Sequence, residues 1–198
     1  MRKNGFFAMM DRMKYITRWG LMRNTRPESL SEHCFETAVL AHGLAVIGRD
    51  VFFDDIDPDK AASCALFHDA SEILTGDMPT PVKYAGSSIK KAYKSLEREA
   101  ERELLTMLPS ELEPEYRRLF EMEESESAVY RYVKAADKLS AYIKCLEERK
   151  SGSREFLIAE KQTLKAVRDM GLPAADYFIE NLLSAYELTL DELRITEE

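Results

Sequence analysis

Hydrophobic residues recur about every 3.6 positions along most of the chain, which is the spacing of an α-helix that buries one face. One such stripe predicts a first helix over Phe6 to Ile16, and another predicts a long helix from Ile89 that stops at Pro109. Four later stripes predict further helices, over residues 113–123, 126–149, 156–170 and 174–186. The alternation typical of a strand reaches no further than residues 51–53. The pattern therefore predicts an all-α protein.

Two helix starts are marked by residues that can cap free backbone N–H groups. Residues 29–32 form a capping box of the type Ser-x-x-Glu, which opens a second helix predicted to end near Gly48. Residues 57–58, Asp-Pro, are a cap followed by a first-turn proline, and they begin a third helix predicted to reach about Leu74. Residues 76–81 then hold a glycine and two prolines, which predict an extended loop.

The size and composition of the chain fit one globular domain. Its 198 residues are enough for one hydrophobic core, and 45% of them are hydrophobic while 32% are charged. With 8 glycines and 7 prolines, this composition excludes a disordered or collagen-like chain. We therefore predict a single domain over residues 1–198.

The cysteines and the N-terminus predict a location in the cell. Cys34, Cys64 and Cys145 are odd in number and far apart, which fits neither a disulfide framework nor a CxxC zinc site. No apolar run follows the basic N-terminus as in a signal peptide, and none approaches the roughly 20 residues of a membrane span. We therefore expect a cytoplasmic protein with reduced thiols and no membrane association.

The distribution of charge is more informative than its total. A formal net charge of -8 argues against bulk electrostatic binding to a nucleic-acid polymer or an anionic membrane. Residues 1–26, however, hold seven basic residues and one acidic residue, so this segment is +6 and the remainder is -14. The basic segment can still bind a small anion locally.

The residues that carry chemistry lie on three predicted helices. His68 is followed by Asp69 at the end of a strongly apolar run, and alone this pair is most simply a satisfied polar pair at a helix boundary. His33 lies on the preceding helix, however, and Asp137 lies beside the apolar face of a later one. Two imidazoles and two carboxylates suit Mn²⁺, Co²⁺, Fe²⁺, Ni²⁺ or Zn²⁺ better than Ca²⁺. On a six-coordinate ion they leave two positions, one for a water of lowered pKa and one for a phosphoryl oxygen.

The order of these residues resembles the metal-binding pattern of the HD-domain phosphohydrolases. Longer motifs narrow the resemblance to the bacterial 5′-deoxynucleotidases. They are Arg18-Trp19, Ser31-Glu32-His33, residues 68–72 (HDASE), residues 75–84 (TGDMPTPVKY) and residues 142–148 (YIKCLEE). The similarity runs from Phe6 to Glu192, nearly the whole chain. It implies a single-domain helical HD fold with a metal-binding core at about residues 28–150, a phosphate clamp from the N-terminal helix, and packed C-terminal helices.

The resemblance also implies an activity, a cofactor and an assembly. The activity is hydrolysis of deoxyribonucleoside 5′-monophosphates to deoxyribonucleosides and phosphate by a metal-bound water, selective for deoxyribose and for the 5′ position. One divalent ion per chain is implied, with Co²⁺ or Mn²⁺ favoured over Zn²⁺, Ni²⁺, Cu²⁺ or Fe²⁺, and a homodimer. The implied metal ligands are His33, His68, Asp69 and Asp137. The implied substrate-binding residues are Arg18, Trp19, His33, Asp69, Asp77, Met78, Pro79, Thr80 and Asp137.

Three of these residues are candidate catalytic groups. Glu72 lies one helical turn after His68 on the same predicted face, where it can act as a general base. The guanidinium of Arg18 matches two phosphate oxygens, so Arg18 is the candidate phosphate clamp. Asp77 can accept a sugar hydroxyl proton or protonate the leaving 5′-oxygen, and the sequence does not choose between them. Trp19, the only tryptophan, would be a core residue on pattern alone, whereas the resemblance implies that it excludes a 2′-hydroxyl.

Several alternatives stay open at this point. His42 lies on the opposite face of the helix that carries His33, so we expect a surface or packing role and no second metal. We expect the Cys34 side chain to point away from the metal site, and Lys83 to be a surface lysine in preference to a phosphate contact. Two other functions are a related phosphohydrolase acting on cyclic or triphosphorylated nucleotides, and a non-catalytic nucleotide-sensing helical domain.

Overall fold

The computed structural model describes residues 4–83, 86–121 and 128–194, and the regular structure in these ranges is helical. An isolated β-bridge between Thr17 and Ser29 is the exception there. The α-helices, in chain order, are α1 Phe6–Met10, α2 Leu30–Val51, α3 Pro58–Phe67, α4 Glu72–Thr75, α5 Thr80–Lys83, α6 Ser87–Leu105, α7 Glu113–Phe120, α8 Ala128–Lys150, α9 Leu157–Arg168, α10 Pro173–Asn181 and α11 Leu190–Arg194. The all-α prediction is confirmed.

Helices α2, α3 and α8 pack around the largest hydrophobic cluster of the molecule. Small residues at their contacts are fully buried, among them Ala41, Ala61 and Ala136. At Gly48 of α2 a Cβ atom would lie 1.9 Å from the hydroxyl of Tyr132 on α8, so only glycine allows this approach. Close packing of the three helices brings their polar residues together at one point.

The predicted capping residues form as expected. The hydroxyl of Ser29 accepts the N–H of Glu32 at 3.3 Å, and the Glu32 carboxylate accepts the N–H of Ser29 at 2.8 Å. The predicted end of this helix near Gly48 is wrong, because α2 continues to Val51. Glycine serves there as the contact with α8 and does not end the helix.

The third helix also differs from its prediction. It ends at Phe67 and not near Leu74, and residues 68–71 form tighter turns before α4 begins. In these turns the N–H of Ala70 donates to Phe67 O at 3.0 Å, and the N–H of Glu72 donates to Asp69 O at 3.0 Å. Bonds from residue i to i−3 wind the chain more tightly than an α-helix does. The turn places His68 and Asp69 against His33 of α2.

Other predicted helices form with shifted ends. The first predicted helix divides into α1 and a 3₁₀ helix, Asp11–Tyr15, and the last divides into α10 and a 3₁₀ helix, Leu183–Glu187. The predicted start of α8 at residue 126 and the predicted end of α7 at residue 123 lie outside the described residues. None of the helices that the structure describes is long and apolar enough to cross a membrane.

A second apolar cluster attaches the N-terminal segment to the rest of the fold. Phe6 is 1% exposed and packs with Leu104 of α6 and Phe120 of α7. Its ring centroid lies 4.8 Å from that of Tyr116. This anchor holds the basic N-terminal segment in place, and the chain then runs back along the start of α2.

Candidate metal centre and substrate site

The four predicted metal ligands lie together where α2, the turn after α3 and α8 meet. One donor atom from each of His33, His68, Asp69 and Asp137 falls within 4.8 Å of all the others. Nε2 of His33 is 3.3 Å from Asp137 Oδ1 and 3.6 Å from Asp69 Oδ2, and Nε2 of His68 is 3.1 Å from Asp69 Oδ2. The side chains of both histidines are at most 1% exposed. Residues up to 104 positions apart in the chain thus form one compact cluster.

The donor set fits a divalent metal ion. Nε2 of His33 and Nε2 of His68 are buried and have no hydrogen-bond partner in the part of the chain that the structure describes. Each opposite nitrogen is held by the protein, since Nδ1 of His68 lies 2.7 Å from Ala65 O and Nδ1 of His33 lies 3.3 Å from the hydroxyl of Ser140. Such contacts orient the rings and leave Nε2 free to bind a cation. Nitrogen and carboxylate donors without thiolate suit a transition metal ion.

The electrostatics of the cluster also fit a bound cation. Burial by itself raises the pKa of Asp69, but the neighbouring charge of His68 outweighs it and holds that pKa well below its usual range. Burial likewise opposes ionisation of Asp137, and its contacts with His33 and His68 lower its pKa well below normal. Two ionised carboxylates in a buried site require a positive partner. A divalent cation supplies that charge and displaces protons from the ligands when it binds.

Arg18 lies at the edge of this cluster. Its Nη1 is 3.4 Å from Asp69 Oδ2, its Nε is 3.5 Å from Glu28 Oε1, and its side chain is 12% exposed. The N–H of Arg18 donates to Glu28 O at 2.9 Å, which continues the short antiparallel contact around the bridge between Thr17 and Ser29. The structure therefore places a fixed guanidinium next to the metal ligands, where a phosphate oxygen can meet both.

Trp19 follows Arg18 and lies half-buried. Its indole Nε1–H donates to Glu28 Oε2 at 2.9 Å, and its ring meets Phe156 edge-on with centroids 5.3 Å apart. Its φ of 57° lies in the left-handed region that a bulky side chain rarely adopts. A strained backbone at a side chain beside a metal cluster is typical of a functional position.

Glu72 is a buried carboxyl group on the same side of the cluster. It is 4% exposed, and Oε2 has no hydrogen-bond partner among the described residues. Burial, together with the negative charges of Asp69 and Asp77, raises the pKa of Glu72 to about 9. The charges of Arg18 and Lys83 act in the opposite direction. Glu72 is therefore a protonated carboxyl group in the electrostatic field of Asp69 and Asp77.

The predicted substrate loop is fixed at its start by a glycine. Gly76 has a φ of 73°, and its carbonyl accepts hydrogen bonds from Thr75 Oγ1 and the Tyr93 hydroxyl, each at 3.2 Å. Asp77, Met78 and Pro79 follow and are half-buried. Thr80 begins α5, and its side chain lies outside the described part of the structure, as does Tyr84. Through the hydroxyl of Tyr93, the start of the loop is hydrogen-bonded to α6.

Three expectations for neighbouring residues have different outcomes. His42 is exposed and lies 3.5 Å from Asp59, away from the cluster, as predicted. Lys83 pairs with Glu97 at 2.8 Å. Cys34 is not among the clustered donors; its Sγ lies 3.9 Å from Nδ1 of His68, while Nε2 of the same ring faces Asp69. Burial raises the pKa of the Cys34 thiol, so it packs against His68 as a neutral group.

Sequence reasoning missed the polar residues behind the site. Glu28 contacts Arg18, Trp19 and His33, and Ser140 contacts His33. The sequence feature that could have indicated Glu28 is its position as an acidic residue just after a strongly basic segment. Ser140 gave no signal, since a serine on a helix face is common.

Comparison with known proteins places this geometry in a family. Residues 5–186 match the family described as 5′-deoxynucleotidase YfbR-like. A 5′-deoxynucleotidase of Erwinia tasmaniensis is 44% identical over 188 residues, which cover 95% of each chain. One from Vibrio parahaemolyticus is 42% identical over 193 residues, covering 98% of this chain and all of the relative.

Solved structures share the fold at lower identity. An HD-domain phosphohydrolase from Listeria innocua aligns with a TM-score of 0.80 at 20% identity, over 91% of this chain and 87% of that one. An HD phosphohydrolase of cyanophage S-2L, bound to dA and one catalytic Zn²⁺, aligns with a TM-score of 0.64 at 20% identity, over 89% and 95% of the two chains. The fold is therefore that of the HD-domain phosphohydrolases, and the chain belongs to the 5′-deoxynucleotidase YfbR-like family.

Proposed function

We propose that this protein is a metal-dependent 5′-deoxynucleotidase, which hydrolyses deoxyribonucleoside 5′-monophosphates to deoxyribonucleosides and phosphate. The observation that carries the proposal is the cluster of His33, His68, Asp69 and Asp137 with the Arg18 guanidinium 3.4 Å from one of its carboxylates. A cation and a guanidinium side by side match a terminal phosphate, which presents several oxygens at once. The relatives named above as 5′-deoxynucleotidases support the choice of substrate.

The residues around the cluster have distinct proposed roles. A divalent ion, when bound by the four ligands, polarises a phosphoryl oxygen and lowers the pKa of water. Arg18 binds and neutralises the phosphate, and Glu72 accepts the proton of the attacking water as the new P–O bond forms. The P–O5′ bond breaks, and the leaving 5′-oxygen takes up a proton. Asp77, beside the loop residues Met78, Pro79 and Thr80, serves that proton transfer or binds a sugar hydroxyl.

The identity of the metal ion is the finer part of the proposal. We favour Co²⁺ or Mn²⁺, one per chain, with Zn²⁺, Ni²⁺, Cu²⁺ and Fe²⁺ as alternatives. The donor set supports this group of metals over Ca²⁺, which prefers six to eight oxygen ligands. A homodimer and a cytoplasmic location also stay predictions, the first from the family resemblance and the second from the reduced, buried cysteines.

Phosphate release from a substrate panel tests the proposal. The panel contains deoxyribo- and ribonucleoside 5′-monophosphates, 3′-monophosphates, triphosphates and cyclic nucleotides, each with Mn²⁺, Co²⁺, Mg²⁺ or a chelator. We expect turnover of the deoxyribonucleoside 5′-monophosphates with Co²⁺ or Mn²⁺ and none with the chelator. Preference for triphosphates or cyclic nucleotides indicates the related phosphohydrolase activity. Absence of turnover on every 5′-monophosphate with every metal would falsify the proposal.

Trp19 is the proposed origin of sugar selectivity. The Trp19→Ala variant removes the ring that lies beside Arg18 and Phe156, so the space for a 2′-hydroxyl opens. We expect the ratio of kcat/KM for dAMP over AMP to fall by about tenfold, the scale of one steric or hydrogen-bond discrimination. An unchanged ratio contradicts this role for Trp19.

A further inference from the structure

One buried carboxylate connects the parts of the site that sequence reasoning treats separately. Glu28 is 7% exposed and lies behind the metal ligands, at the turn into α2. Its Oε2 accepts the indole N–H of Trp19 at 2.9 Å. Its Oε1 lies 3.5 Å from Nε of Arg18 and 3.4 Å from Nδ1 of His33. The Glu28 side chain therefore contacts the residue proposed to exclude a 2′-hydroxyl and the proposed phosphate clamp. It also contacts one of the predicted metal ligands.

The two contacts of Glu28 Oε1 are longer than optimal hydrogen bonds, so the carboxylate can shift between them. Oε1 of Glu28 is buried without a well-formed hydrogen bond, and so is Nε of Arg18. Both Arg18 and His33 are near enough to attract Oε1, yet each is slightly too far for an optimal bond. A small movement of the carboxylate toward one donor weakens its contact with the other.

The hydrogen bond from the Trp19 indole to Glu28 Oε2 is, in contrast, well formed, and the backbone of Trp19 is strained. Trp19 has a φ of 57°, and its carbonyl accepts the N–H of Met22 at 2.8 Å. The indole hydrogen bond to Glu28 fixes the ring in this turn, and the edge of Phe156 supports it. Holding a non-glycine residue there costs on the order of 1–3 kcal/mol, which neighbouring contacts must offset.

We propose that Glu28 is a positioning residue that couples metal binding at His33 to the placement of Trp19 and Arg18, and so sets sugar selectivity. A cation on Nε2 of His33 makes the opposite N–H a stronger donor, which attracts Oε1 of Glu28. Because Oε2 accepts the hydrogen bond of the indole N–H, a movement of the carboxylate also moves the ring of Trp19. The selectivity part rests on the proposed function, whereas the link between metal and Trp19 does not.

Trp19 is the only tryptophan of the chain, so its emission reports this link directly. The first experiment titrates Zn²⁺, which has no unpaired electrons to quench emission, into metal-free protein while tryptophan fluorescence is recorded. Calorimetry measures the Zn²⁺ affinity in parallel. We expect Zn²⁺ to change the tryptophan emission of the wild type. If Zn²⁺ binds and the emission does not change, the coupling is contradicted.

The Glu28→Gln variant keeps the shape of the side chain and one acceptor oxygen, but removes the charge. We expect Zn²⁺ affinity to fall by about tenfold or more, as for other partners of metal-bound histidines, and most of the emission change to disappear. Glu180→Gln is the matched control, because Glu180 is an exposed carboxylate on α10, a helix that carries none of the clustered residues. An equal loss in both variants, or none in Glu28→Gln, overturns the proposal.

A double-mutant cycle tests the link to selectivity. Trp19→Phe keeps an aromatic ring but removes the indole N–H, and it is combined with Glu28→Gln. We expect each single change to lower the dAMP over AMP ratio of kcat/KM by about tenfold, the effect of one lost hydrogen bond, and the double variant to be no worse than either. Multiplicative effects show that Glu28 does not act through the indole, which contradicts the proposal.

The two proposals fail in different ways. If the wild type hydrolyses no 5′-monophosphate, the proposed function fails, but the Zn²⁺ and fluorescence experiments still test Glu28. If Glu28→Gln does not fold by circular dichroism, Glu28→Asp replaces it, because aspartate keeps the charge but is one CH₂ shorter. That variant is expected to bind Zn²⁺ but to lose most of the emission change, because the shorter side chain cannot reach both the indole N–H and His33. A full emission change in Glu28→Asp overturns the proposal.

Discussion

Glu72 shows how one residue is unfavourable for stability and useful for chemistry. Its carboxyl group is buried, Oε2 has no hydrogen-bond partner, and the charges of Asp69 and Asp77 oppose its ionisation. In metal-free protein its pKa is about 9, so it is protonated at neutral pH. A divalent cation held by the clustered residues would reverse the local field and favour the ionised form of Glu72, the proposed general base. The proposed role of Glu72 therefore links its ionisation to metal binding.

This linkage gives a prediction with opposite effects on stability and activity. Folding holds a proton on Glu72 that the unfolded chain releases above its ordinary pKa of 4.5, so metal-free stability falls as pH rises from about 4.5 toward 9. We expect Glu72→Gln to stabilise the metal-free protein by about 2 kcal/mol at pH 7 and by little at pH 4. Thermal denaturation at the two pH values measures this difference.

The same variant is expected to lose activity. Removing a general base typically lowers kcat by about 10²- to 10⁴-fold, while Zn²⁺ should still bind, although more weakly than to the wild type because the variant cannot ionise beside the cation. Phosphate release and Zn²⁺ calorimetry check the two parts. Loss of metal binding together with activity would assign Glu72 to the ligands instead.

At the scale of elements, the loop between Trp19 and α2 is held from the far end of α8. The carboxylate of Glu148 accepts the N–H of Thr25 at 2.9 Å, and the hydroxyl of Thr25 at 2.8 Å. Lys144 Nζ donates to Glu148 Oε1 at 2.5 Å and to Arg26 O at 2.6 Å, and it lies 5.8 Å from the ring centre of Phe156. Both ionic side chains are nearly fully buried. This pair fixes the segment that carries Arg18 and Trp19.

The pair predicts a pH-dependent contribution to stability. Burial opposes ionisation of Glu148, but Lys144 and the donors of Thr25 outweigh it and lower its pKa to about 2. The contribution is therefore complete above pH 4.5, the ordinary value, and is lost as pH falls toward 2. We expect Glu148→Gln to reduce the free energy of unfolding by about 3 kcal/mol at pH 7, because Lys144 loses its buried partner.

Chemical denaturation between pH 2.5 and 7 checks the Glu148 prediction. The variant should lose part of the acid dependence that the wild type shows below pH 4.5. Glu147→Gln is the control, since Glu147 is exposed on the same helix and should change stability by less than about 0.5 kcal/mol. Equal effects at both positions contradict a specific role for the buried pair.

The contact of α2 with α8 gives a second prediction at this scale. Gly43 and Gly48 both lie inside α2, but a Cβ atom meets the ring of Tyr132 at Gly48 and no atom within 4 Å at Gly43. We expect Gly48→Ala to destabilise the protein by about 1–3 kcal/mol, because Tyr132 must shift. Gly43→Ala should stabilise it by about 0.5–1 kcal/mol, the helix preference of alanine over glycine. The midpoints of denaturant unfolding distinguish the two, and the same sign for both variants contradicts the packing argument.

At the scale of the molecule, the metal cluster joins the central helices. His33 comes from α2, Asp137 from α8, and His68 and Asp69 from the turn after α3. A cation that binds only when these elements are assembled stabilises the fold by mass action. The two carboxylates also lose their mutual repulsion when the cation is present.

Metal binding should therefore be visible in thermal unfolding. At a free Zn²⁺ concentration of about 100 times Kd we expect about 2.7 kcal/mol of stabilisation, and a chelator should remove it. Asp137→Asn should abolish most of the effect, whereas His42→Gln should keep it because His42 is exposed and lies beside Asp59. Differential scanning calorimetry measures the shift. A Zn²⁺ effect that depends on His42 and not on Asp137 contradicts the assignment of the site.

The sequence by itself determined the helical class, the capped start of α2 and which four residues cluster at the candidate metal centre. Helical periodicity and capping are local, because they depend on residues three or four positions apart. The motif around His68 and Asp69 also stood out locally, since a polar pair interrupted a strongly apolar run.

Only the tertiary structure decided which residues surround those ligands. The end of α3 at Phe67, the contact of Cys34 with His68 and the continuation of α2 through Gly48 all depend on how helices pack. The buried bond from Lys144 to Arg26 O joins residues 118 positions apart. Glu28 gained its partners only when the strained turn at Trp19 folded back against α2. Long-range packing leaves no periodic pattern in the chain, so such contacts are set by the assembled fold.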